Sequence, residues 1–146
     1  MKTPCHDMNK FIFTAAALLF TCAAFAQEDA ETIAATPRQL EARAARMTAN
    51  AEELLATGDT VRGVAMLESV FRMFPETQAR FKAHLALGRH RLVASQFNEA
   101  LATLRFADAA ESEDVRAESM MLQAKAHRGL NRPGEAAALL RRVTPR

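Results

Sequence analysis

Residues 80–107, RFKAHLALGRHRLVASQFNEALATLRFA, decide the fold. They hold one helix around Leu87-Gly88, a break near Ser95 and a second helix through Ala100, Leu104 and Ala107. Sliding the chain on itself repeats this pattern. Ala51, Gly88 and Ala124 align at separations of 37 and 36 residues. Twelve residues after each stands another small residue, Gly63, Ala100 or Ala136. Leu67, Leu104 and Leu140 follow, then Val70, Ala107 and Val143. A small residue lets two helix backbones approach where a larger one would overpack the contact. The leucines are expected to fill the space between one hairpin and the next.

Outward from that unit the same punctuation recurs. Thr36-Pro37-Arg38-Gln39 reads as a helix start: threonine caps, proline occupies the first turn and glutamine reaches back. Leu40, Ala44, Met47, Ala51, Leu54 and Leu55 then recur at steps of three and four, the period of an amphipathic helix. Gly58-Asp59 ends it, and a second helix runs from about Thr60 to Met73 until Phe74-Pro75 stops it. Further turns fall near Ser95, Glu111 to Asp114, and Asn131, which predicts six helices of 11 to 20 residues. Thr77 and Ser112 are candidate caps of the third and fifth. No stretch alternates with period two over a useful length. The fold class is all-α, and about residues 37–146 form the helical domain.

These spacings resemble the tetratricopeptide repeat, with Leu87-Gly88 as the best match to that family's Leu-Gly pair. The resemblance covers about residues 44–77, 81–114 and 117–146. Where the family often carries tryptophan this chain has Met47, His84 and Met120, and where it often carries tyrosine it has Leu54, Arg91 and His127. The resemblance implies a right-handed α-solenoid of three antiparallel helix-turn-helix hairpins. A related helical-hairpin repeat would place the backbone almost identically. It further implies a concave groove lined by the first helix of each hairpin, which holds a peptide from a partner. By alignment the groove residues are Thr48, Glu52 and Leu55, then Lys82, Leu85, Arg89 and Leu92, then Met121, Lys125 and Arg128. One acid and four bases suit a peptide with acidic and apolar residues. The family's lysine and asparagine clamp for a terminal carboxylate is not reproduced, since Thr48 and Glu52 occupy those positions.

The 146 residues are 49% apolar and 25% charged, without Trp or Tyr. That balance excludes collagen, a disulfide-dense mini-protein, a polytopic membrane protein and a wholly disordered tail. Residues 11–26 lack formal charge, follow Lys10 and end Ala24-Phe25-Ala26, the three parts of a secretory signal peptide. A spanning helix needs about 20 apolar residues, so the expectation is a leader over residues 1–26, with Met8 a tidier start than Met1. Residues 27–36 form an acidic, alanine-rich lead-in. Cys5 and Cys22 both precede the cut, which leaves no thiol for a disulfide, catalysis or metal. The expected destination is the bacterial periplasm. The alternatives are secretion, or a lipoprotein anchored through Cys22, although Phe20 and Thr21 are bulky for a lipid-acceptor box. Residues 27–79 carry nine acids and five bases, and residues 115–146 two acids and seven bases, so the chain is a charge dipole. The basic third lacks the stacking aromatics of a nucleic-acid binder.

Catalysis finds no support. Glycine-rich phosphate loops, HExxH and Gly-x-Ser-x-Gly do not occur. His84 and His90, six residues apart, point to different sides of a helix and cannot chelate one ion, though His127 could approach His84 from the next hairpin. The expectation is no enzyme, no cofactor and no metal. Met47, Met66, Met73, Met120 and Met121 read as core filling rather than a soft metal or peptide surface. Glu68/Arg72 and Glu76/Arg80 stand at ion-pairing separation. The last helix, Pro133 to Val143, leaves Leu139, Leu140 or Val143 to face something, because a solenoid needs a polar cap at its end. Two functions follow: an exported adaptor that binds an envelope protein through groove or last helix, or a structural subunit that self-associates through that helix or stiffens a larger complex. A shortened relic of a longer repeat protein is a further alternative.

Overall fold

The computed structural model describes residues 35–143. The expected leader, Cys22, nearly all of the lead-in and Thr144-Pro145-Arg146 lie outside the described residues. Within them the architecture is all helix, with no strand. Six α-helices follow one another: α1 (Pro37–Ala56), α2 (Thr60–Met73), α3 (Ala79–Val93), α4 (Phe97–Leu104), α5 (Glu113–Gly129) and α6 (Pro133–Val143). A short 3-10 segment, Arg105–Ala109, continues α4.

The start of α1 follows from its sequence. The Thr36 hydroxyl accepts from the Gln39 N–H at 3.3 Å, and the Gln39 side chain accepts from the Thr36 N–H at 2.9 Å. Two N–H groups that a helix start leaves unpaired are thereby satisfied, and Pro37 needs no partner. The turns that follow α1, α3 and α5 share one backbone geometry. Gly58, Ser95 and Asn131 all have positive φ, at 89°, 60° and 56°. Their N–H groups donate to the carbonyls of Leu55, Leu92 and Arg128, three residues back. The following N–H groups, of Asp59, Gln96 and Arg132, donate five residues back to Leu54, Arg91 and His127. This is the Schellman closure, which satisfies the last carbonyls of a helix. The carbonyls of Asp59, Gln96 and Arg132 then accept from Gly63, Ala100 and Ala136, so each small residue enters the first turn of the next helix.

Three expectations need correction. The fourth helix is not 11 residues or longer: α4 has eight, and the backbone then tightens to 3-10. Where the backbone tightens, the Ser119 hydroxyl of α5 lies 2.8 Å from the Leu104 carbonyl. The same hydroxyl lies 2.8 Å from the Asp108 carboxylate, which also accepts from Gln123 Nε2 at 2.9 and 3.0 Å. Thr77 does not cap α3. Its hydroxyl donates to the Phe74 carbonyl, and the Gln78 N–H donates instead to Glu41 of α1 at 2.8 Å. Ser112 does cap α5, accepting from the Val115 N–H at 3.5 Å. Finally, Glu68/Arg72 and Glu76/Arg80 form no ion pairs among the described residues. Arg72 donates to Ser69, while Arg80 lies 4.7 Å from the centre of the Phe81 ring.

Every helix packs on its successor, and in addition α1 packs on α3 and α3 on α5. α3 is the shared wall of two cores. Ala83 and Leu87 join Ala44, Ala51, Leu67 and Val70 in one, while Phe81 and Leu85 join Ala100, Leu104, Val115 and Leu122 in the other. Ala51, Gly63, Leu67, Gly88, Ala100, Leu104, Ala124 and Ala136 are all buried. The aligned Leu140 is 42% exposed, and among the described residues no helix follows α6 to cover it as α3 and α5 cover Leu67 and Leu104. Gly88 makes room for a neighbouring side chain, and Gly63 for both a side chain and the backbone of α1. A Cβ on Gly88 would stand 2.4 Å from Leu104 Cδ2, and one on Gly63 2.8 Å from Leu55 and 3.1 Å from the Ala51 carbonyl oxygen. Met47 and Met66 pack against the first core, whereas Met73 and Met121 are exposed.

Candidate functional site

At about 100° per residue, Lys82, Leu85, Arg89 and Leu92 form one stripe of α3, and Arg80, His84, Leu87 and Arg91 form a stripe on its opposite side. The structure builds a different surface on each.

On the first side, α1, α3 and the start of α5 enclose a depression of about 480 Å³. Thr48, Glu52, Lys82, Leu85 and Arg89 of the expected groove meet there. Thr48 and Leu85 form its floor, being buried, and the Thr48 hydroxyl donates to the Ala44 carbonyl at 3.0 Å. Ala45, Ala49 and Ala79 keep the depression open because they fill little space. Leu55 lines a neighbouring hollow with Glu52, Arg89 and Val93. Leu92 and Lys125 line another with Arg89, Phe97 and Leu122. Met121 and Arg128 line none of these three. Arg89 borders all three.

Arg89 also ties the three helices together. Its Nη1 donates to Glu52 of α1 at 2.9 Å, and its Nε and Nη2 donate to Glu118 of α5 at 3.0 and 2.7 Å. All three side chains remain well exposed, so the link stays in high dielectric and contributes little stability. Glu118 and Asp114, which the aligned positions do not reveal, add two carboxylates to the depression. Lys82 makes no ion pair among the described residues.

The reverse side of α3 holds a stack of three rings. His84 lies face to face with Phe71 of α2, centroids 4.0 Å apart and planes 4° apart. Phe106, on the 3-10 segment, covers its other face at 5.0 Å and 18°. Burial, then the charges of Arg80 and Arg91, lower the His84 pKa from 6.5 to about 4. The ring is therefore neutral at pH 7, and its Nδ1 is buried without a hydrogen-bond partner. His127 does not join it. Arg91 is anchored beside the stack, donating to the Thr103 hydroxyl and, at 3.2 Å, to the Glu99 carbonyl. The sequence marked His84 by alignment and as a candidate metal ligand, not as part of a ring stack. The surplus of phenylalanines outside the repeating apolar positions, Phe71 and Phe106, was the signal available.

Among the described residues no three His, Cys, Asp or Glu side chains gather to hold a metal ion. No described helix is long and apolar enough to cross a membrane. No protein-family model, curated protein or solved structure matches the chain.

Proposed function

We propose that this chain is an exported adaptor built as a tetratricopeptide-like solenoid, which holds a segment of an envelope protein in the groove of α1, α3 and α5. The arrangement of three hairpins is supported by the shared turn geometry at Gly58, Ser95 and Asn131 and by the serial packing of α1 on α3 and α3 on α5. Export is supported by the charge-free run of residues 11–26 and its A-x-A end. The observation that carries the function is the open depression of about 480 Å³ between three helices, floored by Thr48 and Leu85 and kept clear by alanines.

The groove's charges refine the partner. Arg89 is committed to Glu52 and Glu118, so it does not stand free for an acidic peptide. Lys82 and Asp114 remain as a cation and an anion on the rim, which suits an extended segment carrying both signs beside an apolar residue. The test is a pull-down from envelope extract with wild type, Arg89→Glu and Leu140→Glu. Arg89→Glu places three carboxylates together and should release the partner, while Leu140→Glu should retain it. The opposite pattern sinks the groove reading.

The second reading, a self-associating structural subunit, draws on the exposure of Leu140 on α6 and of Val61 on α2. Light scattering over a concentration series separates the two. An adaptor keeps its mass, whereas an assembling subunit grows heavier and Leu140→Glu stops the growth.

A further inference from the structure

The ring stack on the reverse side of α3 has a chemistry that the groove does not use. Two adjoining open hollows, of about 260 and 290 Å³, share Phe71, His84 and Phe106. Arg91 borders the first, and Arg80 and Arg105 border the second. Glu68 is the one acid lining either hollow. Asp108, though on the same 3-10 segment, is held toward α5 by Ser119 and Gln123. The cleft lining thus carries an excess of cations, while the groove lining carries an excess of carboxylates.

Two of those cations are available. Among the described residues neither Arg80 nor Arg105 enters an ion pair. Arg80 is steadied over the Phe81 ring. Between them Phe106 is 62% exposed, an aromatic face in water next to guanidinium groups. Such a face gains from a second ring stacked or set edge-on, and a guanidinium binds a carboxylate through paired hydrogen bonds. Small-molecule sites are concave and enclose most of their ligand. Two open hollows side by side instead suit an extended chain.

We propose that this cleft is a second docking surface, taking an acidic segment of a partner protein that carries an aromatic residue, with the ring on Phe106 and carboxylates on Arg80 and Arg105. It stands independently of the groove. The test selects a displayed library of random peptides on the full chain, then measures the enriched peptides by fluorescence anisotropy. Enriched sequences should combine Asp or Glu with Phe, Tyr or Trp. Their affinity should fall about tenfold or more with Arg105→Glu and with Phe106→Ser, and should survive Arg89→Ala. Both altered side chains are exposed, and circular dichroism of each variant checks the fold; Arg80→Glu supplies a second charge reversal. Enrichment lost only with Arg89→Ala would support the groove and overturn this surface. So would unaltered binding in the Arg105 and Phe106 variants, no enrichment at all, or binding at these residues of ATP or phosphatidylglycerol vesicles but of no peptide.

Discussion

The two sides of α3 join the same neighbourhood by opposite means. On the groove side, Arg89 reaches two carboxylates through long, exposed side chains. On the reverse side, His84 is clasped between flat rings with planes 4° and 18° apart. Exposed ion pairs are each worth about 0.2–1 kcal/mol and are screened by salt. Aromatic packing removes much more apolar area from water and fixes a geometry. The difference teaches that the groove can be rearranged cheaply by a ligand, whereas the reverse side is a rigid joint that happens to leave one ring face exposed.

The comparison is broken most directly at Phe71. Phe71→Ala removes the closer ring of the stack and contact with the first core, and should cost about 3 kcal/mol in urea denaturation. Next in size is Gly88, which lies between the two stripes. Gly88→Ala forces a methyl group onto the fully buried Leu104 and should cost about 1–3 kcal/mol; a neutral result would mean that the core beneath both sides is loosely packed.

The third way to sharpen the contrast is pH. His84 faces Glu68 from α2, Arg80 and Arg91 on its own helix, and Arg105 from the 3-10 segment. Its folded pKa, about 4, lies below the unfolded 6.5. Between those values the unfolded chain binds the proton and the folded chain does not, so stability falls as pH drops from 6.5 to about 4. Thermal melts across that window should show the loss, and His84→Gln should flatten this part of the slope. The smallest effect belongs to the groove. Arg89→Ala should change stability by less than about 1 kcal/mol, and the change should shrink further in added salt. Should Arg89→Ala cost as much as Phe71→Ala, the contrast between the two sides is lost.

Much of the helical framework was legible because local rules decide it. Thr36 and Gln39 cap α1 as their spacing indicates, and Gly58, Ser95 and Asn131, where turns are expected, reverse the chain alike. What stayed hidden depends on side chains from distant helices. Glu118 enters the depression through the rotation of α5 against α3, which no periodicity encodes. Phe106 and His84 meet only after α3 and the 3-10 segment pack together. Where α4 gives way to the 3-10 segment, Ser119 and Gln123 of α5 meet Leu104 and Asp108, contacts between helices that local spacing does not encode. Of the aligned groove residues, those nearest Arg89 converge, while Met121 and Arg128 lie beyond its three hollows.

The matching left-handed turns carry a consequence for exchange of parts. Ala56-Thr57-Gly58-Asp59, Val93-Ala94-Ser95-Gln96 and Gly129-Leu130-Asn131-Arg132 reverse direction through the same two hydrogen bonds. The bend is therefore encoded in main-chain torsion rather than in any one side chain. Each tetrad should serve as an interchangeable elbow: grafting the glycine version into the second position should relieve Ser95 of an unfavourable torsion and leave the flanking rods in register.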